Sequence, residues 1–141
     1  MICTFFGHRD AELSLQDLLY ATIQELVEKG VDRFYVGNQG NFDRMARVAL
    51  QKISHKYPFI RYYVVLAYLS DGDMLKEYPT VFPEGLETAL PRFAIDKRNR
   101  WMIQKADIVV AYCRNRGGSS EKYVQLALKK RKTVINLGSE Q

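Results

Sequence analysis

Short apolar runs alternate along the chain with segments whose apolar residues recur at helical spacing. Runs rich in β-branched and aromatic residues indicate strands, because such side chains fit the pleated, half-buried surface of a sheet. The pattern predicts strands at residues 2–6, 34–36, 60–69, 107–112 and 133–137. It predicts helices near residues 11–29, 41–53, 96–105 and 120–130, with Gly30 closing the first and Asn41 capping the second.

This alternation predicts an α/β fold with a mainly parallel, five-stranded sheet. The strands are almost continuously apolar, which is typical of a sheet covered by helices on both faces, a three-layer sandwich. Because crossovers between parallel strands are right-handed, the simplest strand order is 3-2-1-4-5. No internal repeat or low-complexity segment divides the sequence, so residues 1–141 are predicted to form one domain.

The connection from residue 70 to 95 is long for a compact domain and contains three prolines. One interpretation is a surface excursion with a short helix around residues 71–78. The other is a lid over a ligand, because the segment leaves the carboxyl end of the third predicted strand.

Composition narrows the class of protein. The chain has 47% hydrophobic residues, which suits one domain with a core. No stretch approaches the roughly 20 apolar residues that span a membrane, and MICTFFGHRD lacks the features of a signal peptide. Cys3 and Cys113 are expected at opposite ends of the sheet, too far apart for a disulfide. These features predict a cytoplasmic protein with no membrane partner.

The net charge of +5 raises the question of a nucleic-acid partner. The basic residues are dispersed, with clusters at 92–100 and 129–132, and the second reads as a solvated helix end. The charge pattern therefore does not favour nucleic acid. The aromatic content of 12% supplies material for an interface, so a homodimer is left open.

Three polar loops follow predicted strands whose carboxyl ends meet at one edge of the sheet: FGHRD (6–10), VGNQGNFD (36–43) and CRNRGGSS (113–120). Parallel sheets bind ligands at this edge, where the strand order reverses. Glycines let backbone amides approach an anion, and helix N-termini present free N–H groups to it. The loops predict a phosphate-binding site formed by Gly7, His8, Arg9, Gly37, Asn38, Gly40, Asn41, Arg114, Gly117, Gly118, Ser119 and Ser120.

Each loop by itself is also typical of plain turn and capping chemistry, and a lone histidine such as His8 is often a packing residue. The occurrence of all three at neighbouring strand ends favours a site. No group of His, Cys, Asp and Glu has metal-ligand spacing, and neither a Walker lysine motif nor GxGxxG is present. No metal, cofactor or nucleophilic triad is predicted.

Six segments in a fixed order, FFGHRD, YVGNQGNFDRM, FPEGLE, RFAIDKRNRWM, ADIVVAY and GGSS…KTVINL, resemble the SLOG superfamily, near its small bacterial YpsA-like proteins. The resemblance covers nearly the whole chain and implies a Rossmann-like fold. The superfamily includes the LOG phosphoribohydrolases, which cleave cytokinin nucleoside monophosphates, and the DNA-processing protein Smf/DprA. Other members are proposed to sense nucleotide-derived ligands.

The resemblance implies a ligand-binding role for Arg98. LOG enzymes carry an R-K-x-x-M segment shortly before the Ala-Asp that opens the fourth strand. Here Arg98 to Met102 precedes Ala106 and Asp107 at the same spacing. The alternative interpretation of Arg98 is an exposed helical arginine.

The LOG motif P-G-G-x-G-T-x-x-E matches only in part. Gly117 and Gly118 fit the paired glycines, but Val124 stands where the catalytic glutamate is expected. Glu121 is the one acidic residue nearby and lies one turn early. If the protein is a hydrolase, Glu121 and Arg98 are the candidate catalytic residues. The remaining departures are Arg116 for proline, Ser120 for the third glycine and Glu121 for threonine.

Three functions follow, in order of preference. The first is binding or sensing of a nucleotide-derived, phosphate-bearing small molecule. The second is LOG-like hydrolysis of nucleoside 5′-monophosphates, which the missing glutamate argues against. The third is DNA binding of the Smf/DprA kind, which the dispersed charge does not favour. Whether the protein is an enzyme is left open.

Overall fold

The computed structural model describes residues 1–114 and 118–138. The chain alternates strands and helices: β1 (Ile2–Gly7), α1 (Gln16–Glu28), β2 (Arg33–Val36), α2 (Gly40–Lys56), β3 (Arg61–Val65), β4 (Thr80–Val81), α3 (Pro91–Lys105), β5 (Ile108–Tyr112), α4 (Ser119–Lys129) and β6 (Thr133–Asn136). Short 3₁₀ helices lie at Leu13–Leu15, Leu69–Leu75 and Leu86–Thr88. The predicted α/β class is confirmed.

All strand pairs in the sheet are parallel, and the order is β4-β3-β2-β1-β5-β6. The five predicted strands keep the predicted relative order. The predicted strand count is wrong, because β4 adds a sixth strand at the edge, paired with Val64 and Val65 of β3. Two residues between prolines give no periodic signal, so only pairing with β3 defines this strand. Part of the 70–95 connection is therefore built into the sheet.

The helices cover both faces of the sheet, as the apolar strands predicted. Neighbouring residues of β1 point to opposite faces. Phe5 belongs to a core with residues of α1 and α2, whereas Phe6 belongs to a core with residues of α3 and α4. The strand order reverses at β1, which has β2 on one side and β5 on the other. There the carboxyl end of β1 faces the start of α4.

Two helix starts differ from the prediction. α3 begins at Pro91 rather than near residue 96, because proline is well suited to the first turn, where its missing N–H costs nothing. α1 begins only at Gln16, after a 3₁₀ turn, and Gly30 follows its end with φ of 107°. Within the described ranges, no helix is both long and apolar enough to cross a membrane.

Candidate functional site

A cavity of about 340 Å³ opens at the carboxyl end of β1. It lies between the end of that strand, the loop that enters α2, the middle of α3 and the first turn of α4. Its lining is partly apolar and partly polar: Phe5, Phe6, Gly7, Arg9, Gln39, Asp43, Ile95, Arg98, Asn99, Met102, Ser119, Ser120 and Tyr123. The cavity occupies the edge of the sheet at which parallel α/β folds bind ligands.

The first turn of α4 faces this cavity with two serines. Ser119 and Ser120 are the first two helical residues, after Gly118 as the N-cap. Because the N-cap residue is a glycine, it has no side chain with which to cap the helix. The first backbone N–H groups of a helix lack intrahelical acceptors and carry the positive end of its dipole. The serine hydroxyls add further donors, so this wall of the cavity suits an anion.

Arg98 is the most deeply buried charged residue of the site, with 1% of its surface exposed. Its Nε donates to Asn99 Oδ1 at 2.7 Å, and its Nη1 donates to Asn38 Oδ1 at 3.1 Å and to the Val65 carbonyl at 2.9 Å. In the described part of the chain, its hydrogen bonds engage only Nε and Nη1. Because the residue also lines the cavity, a guanidinium already fixed in orientation contributes to the cavity wall.

Asp43 lies beside this arginine and is 8% exposed. Its Oδ2 accepts the Gln39 N–H at 2.9 Å, which holds the loop against the start of α2. A Cβ atom placed on Gly37 would lie 2.7 Å from Asp43 Oδ2 and 3.2 Å from Arg98 Cζ. Gly37 therefore lets the carboxylate and the guanidinium approach the same small space.

Burial dominates the electrostatics of both groups. It raises the pKa of the Asp43 carboxyl above its ordinary value, against the opposing effects of Arg98, the Gln39 N–H, Arg47 and Arg9. Burial lowers the pKa of the Arg98 guanidinium, and Asp43 is the first of the groups that oppose this effect. Each group is thus partly compensated by the other within a poorly hydrated site.

Five residues predicted from sequence meet at the cavity: Gly7, Arg9, Arg98, Ser119 and Ser120. Gly37 and Asn38 support them by shaping and holding the Arg98 position. Gly40, with φ of 87°, lies against the Arg9 backbone, and the Asn41 N–H donates to the Arg9 carbonyl at 2.8 Å. The loops after β1 and β2 are therefore joined directly.

Asn41 does not cap α2, contrary to the prediction. The helix begins at Gly40 with Gln39 as the N-cap, and the Asn41 side chain donates to the Ala11 carbonyl at 3.3 Å. The start of this helix is held instead by Asp43, which accepts the backbone N–H of Gln39.

The other predicted residues that the structure describes are not part of the lining. His8 Nε2 accepts the Arg114 N–H at 2.8 Å, and the His8 ring packs edge-on against Tyr112, so it holds the end of β5. Arg114 itself is exposed. Gly118 and Glu121 line a different surface depression with Lys122 and Gln125. Gly117 lies outside the described residues.

Sequence reasoning missed Asp43, Gln39, Asn99 and Tyr123 as lining residues. The apolar pattern of α2 could have indicated that Asp43 is buried. Asp43 lies three residues before Ala46, seven before Leu50 and ten before Ile53, so it shares the buried face of α2. A carboxylate on an apolar face indicates a special environment. Within the described ranges, no group of three or more His, Cys, Asp and Glu could hold a metal ion.

A second, more open groove of about 480 Å³ lies on the outer side of α3. Its lining combines the single tryptophan of the chain with cations: Pro83, Glu84, Gly85, Leu86, Lys97, Arg100, Trp101, Gln104 and Lys130. Trp101 packs edge-on against Tyr35, and Lys105 Nζ lies 5.6 Å from its ring centre. The groove thus combines one tryptophan with three cations and the carboxylate of Glu84, and one of the cations, Arg100, is paired with Asp96.

Comparison with known proteins defines the fold. No family model matches the chain, and no curated protein matches it. DNA processing protein A (DprA) from Streptococcus pneumoniae matches with a TM-score of 0.74 and 16% identity, over 95% of this chain and 49% of that one. DNA processing protein A from Helicobacter pylori, whose structure describes a single-stranded DNA binding mode, matches with a TM-score of 0.65 and 15% identity, over 99% of this chain and 66% of that one.

These matches place the chain among Rossmann-like α/β proteins with the fold seen in DprA. The chain spans about half the length of the Streptococcus pneumoniae protein. The shared fold agrees with the resemblance to the Smf/DprA–LOG superfamily that the sequence segments indicated.

Proposed function

We propose that the cavity at the carboxyl end of β1 binds a small molecule derived from a nucleotide, through its phosphate group, and that the protein is a binding or sensing module. Within the superfamily, we place the protein near the YpsA-like members. The observation that carries the proposal is Arg98, a guanidinium 1% exposed that lines the same cavity as the start of α4.

The chemistry of the lining supports a phosphate. Arg98 and Arg9 supply positive charge, and the first turn of α4 supplies backbone and hydroxyl donors. Hydrogen bonds to charged groups are stronger than neutral ones, and helix N-termini commonly bind phosphate. The cavity volume of about 340 Å³ lies at the small end of ligand pockets, which fits a mononucleotide or phosphosugar.

The position of Glu121 favours binding over LOG-like hydrolysis. Glu121 lines the depression outside the cavity, and Val124 is buried in the core between α3, α4 and the sheet. Breaking an N-glycosidic bond builds positive charge on the ribose, which a positioned carboxylate would stabilise. We expect no LOG-like release of base from purine or pyrimidine monophosphates. Base release that disappears in Glu121→Gln would instead establish the hydrolase.

The binding proposal is tested by placing a carboxylate at the helix start. Ser119 is exposed and lies in the first turn of α4, where aspartate is favourable for the helix dipole. Ser119→Asp should leave the fold intact and repel a phosphate. Calorimetry with inorganic phosphate and a panel of nucleoside 5′-monophosphates should show at least a tenfold loss of affinity.

Gln125→Glu is the matched control, because it adds the same charge to the same helix outside the cavity. It should retain the affinity of the unmodified protein. Equal affinities in Ser119→Asp and the unmodified protein would contradict the site. Failure of the unmodified protein to bind any member of the panel would contradict the function.

Single-stranded DNA is the second candidate ligand. Two observations favour it: the fold shared with DprA proteins, one of which binds single-stranded DNA, and the groove that combines Trp101 with Lys97, Arg100 and Lys130. Proteins that bind single strands commonly pair a basic groove with aromatic side chains on which bases stack. The net charge of +5 is compatible with this candidate.

Fluorescence anisotropy with a labelled oligonucleotide, repeated at several salt concentrations, tests this candidate. Lys97→Glu combined with Lys130→Glu should weaken binding and reduce its salt dependence. Arg44→Glu combined with Lys52→Glu makes the same change in net charge on α2, which covers the opposite face of the sheet. This double variant should have a smaller effect on binding. Equal losses in both double variants would indicate only the overall charge and contradict the groove.

A further inference from the structure

Asp43 is a buried carboxylate in a cavity otherwise suited to an anion. An unpaired carboxylate would repel a phosphate and would pay a large desolvation cost. Burial raises the pKa of its carboxyl, and the guanidiniums of Arg98, Arg47 and Arg9 oppose this effect. Among the described residues, the charged side chains of the lining are Arg9, Arg98 and Asp43, so the lining is positive overall and Asp43 and a bound phosphate are compatible.

The hydrogen bond at the start of α2 uses only one of the two carboxylate oxygens of Asp43. Within the described residues, the hydrogen bonds of Asp43 engage Oδ2 alone, which accepts the Gln39 N–H. That bond needs one acceptor oxygen, which the amide of Asn would also provide. Asp43 lines the cavity, so its carboxylate supplies acceptor capacity there that the cap does not use.

Asp43 and the phosphate donors share a cavity of about 340 Å³. A ligand held by its phosphate at Arg98 and the α4 start therefore places its next few atoms near Asp43. In a nucleoside 5′-phosphate these atoms belong to the ribose, whose 2′ and 3′ hydroxyls are hydrogen-bond donors. A carboxylate accepts two such donors, and buried polar groups are strongly selective for ligands that satisfy them.

We propose that Asp43 accepts hydrogen bonds from the vicinal sugar hydroxyls of the ligand and thereby selects a ribose phosphate over phosphates that lack them. This inference rests on the proposed phosphate-binding function. It assigns Asp43 as a specificity-determining residue, and Gly37 as the position that gives its carboxylate room beside Arg98.

The test compares ligands before it compares variants. Calorimetry measures the affinities of the unmodified protein for a nucleoside 5′-monophosphate, for its 2′-deoxy, 3′-deoxy and 2′,3′-dideoxy analogues, and for inorganic phosphate. The diol should bind at least tenfold more tightly than the dideoxy analogue. Equal affinities for the two would overturn the assignment while leaving phosphate binding established.

Variants then test whether Asp43 causes the preference for the diol. Asp43→Asn keeps an acceptor for the Gln39 N–H and should abolish the preference for the diol while retaining or improving the affinity for inorganic phosphate. Asp43→Gln also offers an amide oxygen to the Gln39 N–H and serves if the asparagine variant does not fold. A diol preference that persists in a folded variant would reduce Asp43 to a helix cap. Failure of the unmodified protein to bind either inorganic phosphate or any nucleoside 5′-monophosphate would contradict the proposed function itself.

Discussion

Glycine at the end of β1 decides how closely α2 approaches the sheet. A Cβ atom on Gly7 would lie 2.2 Å from Phe42 Cγ, inside any allowed contact. Phe42 is fully buried in the core between the sheet and α1 and α2, so it has no room to move aside. The close approach is what brings the first turn of α2 next to the cavity.

Gly7→Ala should therefore lower the free energy of unfolding by about 1–3 kcal/mol, the usual cost of overpacking a core. Urea denaturation monitored by circular dichroism measures it. Gly72→Ala is the matched control, because its Cβ would meet only Leu66 Cδ1, at an ordinary 3.6 Å. Similar destabilisation by both substitutions would show that the Phe42 contact is not the cause.

Arg98 has a structural as well as a binding role, since its guanidinium holds Asn38, Asn99 and the Val65 carbonyl. Arg98→Met should lower the free energy of unfolding by about 1–3 kcal/mol, because it leaves buried acceptors without a donor. It should also weaken phosphate binding at least tenfold. Arg100→Met on the same helix loses only a partly exposed pair with Asp96, so it should lower the free energy of unfolding less and leave phosphate binding unchanged, and matching effects would contradict the special role of Arg98.

Among elements, α3 and α4 are joined by one carboxylate. Asp96 on α3 accepts hydrogen bonds from Tyr123 at 2.7 Å and Lys122 at 3.2 Å, both on α4, and from Arg100 at 2.9 Å. Burial alone would raise the pKa of Asp96, but these hydrogen bonds hold it below its ordinary value of 3.8. The two helices carry the two walls of the cavity that bear Arg98 and the serines.

A carboxyl with a lowered pKa stabilises the folded state above its unfolded pKa, and this contribution is lost as the pH falls through the folded value. Asp96→Asn should therefore cost about 1 kcal/mol at pH 7, a modest figure because the side chain is partly exposed. Urea unfolding at a series of pH values should show the difference from the unmodified protein shrinking only below about pH 4. Glu25→Gln, which breaks an exposed pair within α1, should cost less at pH 7. A difference independent of pH would contradict the ionic explanation.

At the scale of the whole molecule, one sheet carries both cores, so the domain is expected to unfold as a unit. Trp101 lies on the face of the sheet that α3 and α4 cover, so its fluorescence reports on that face. The far-ultraviolet circular dichroism signal reports on the helices of both faces. Urea curves from tryptophan fluorescence and circular dichroism should coincide. Separate midpoints would contradict the prediction of a single domain.

The sequence by itself determined the α/β class, the relative order of the five longer strands and the edge of the sheet at which the candidate cavity lies. These follow from local pattern: continuous apolar strands require cover on both faces, and the handedness of parallel crossovers limits the order. Glycine, serine and arginine residues after three strand ends predicted Gly7, Arg9, Ser119 and Ser120 as site residues. Their positions depend mainly on where each strand stops.

Only the tertiary structure decided the rest. β4 exists because β3 offers it a partner, and two residues carry no period of their own. Asp43 and Arg98 are distant along the chain, and their meeting depends on the space left by Gly37. The roles of His8 and Asn41 were likewise set by partners from other loops, Arg114 and Ala11. Side-chain partners across the fold are fixed by packing between elements, which no local pattern in the sequence encodes.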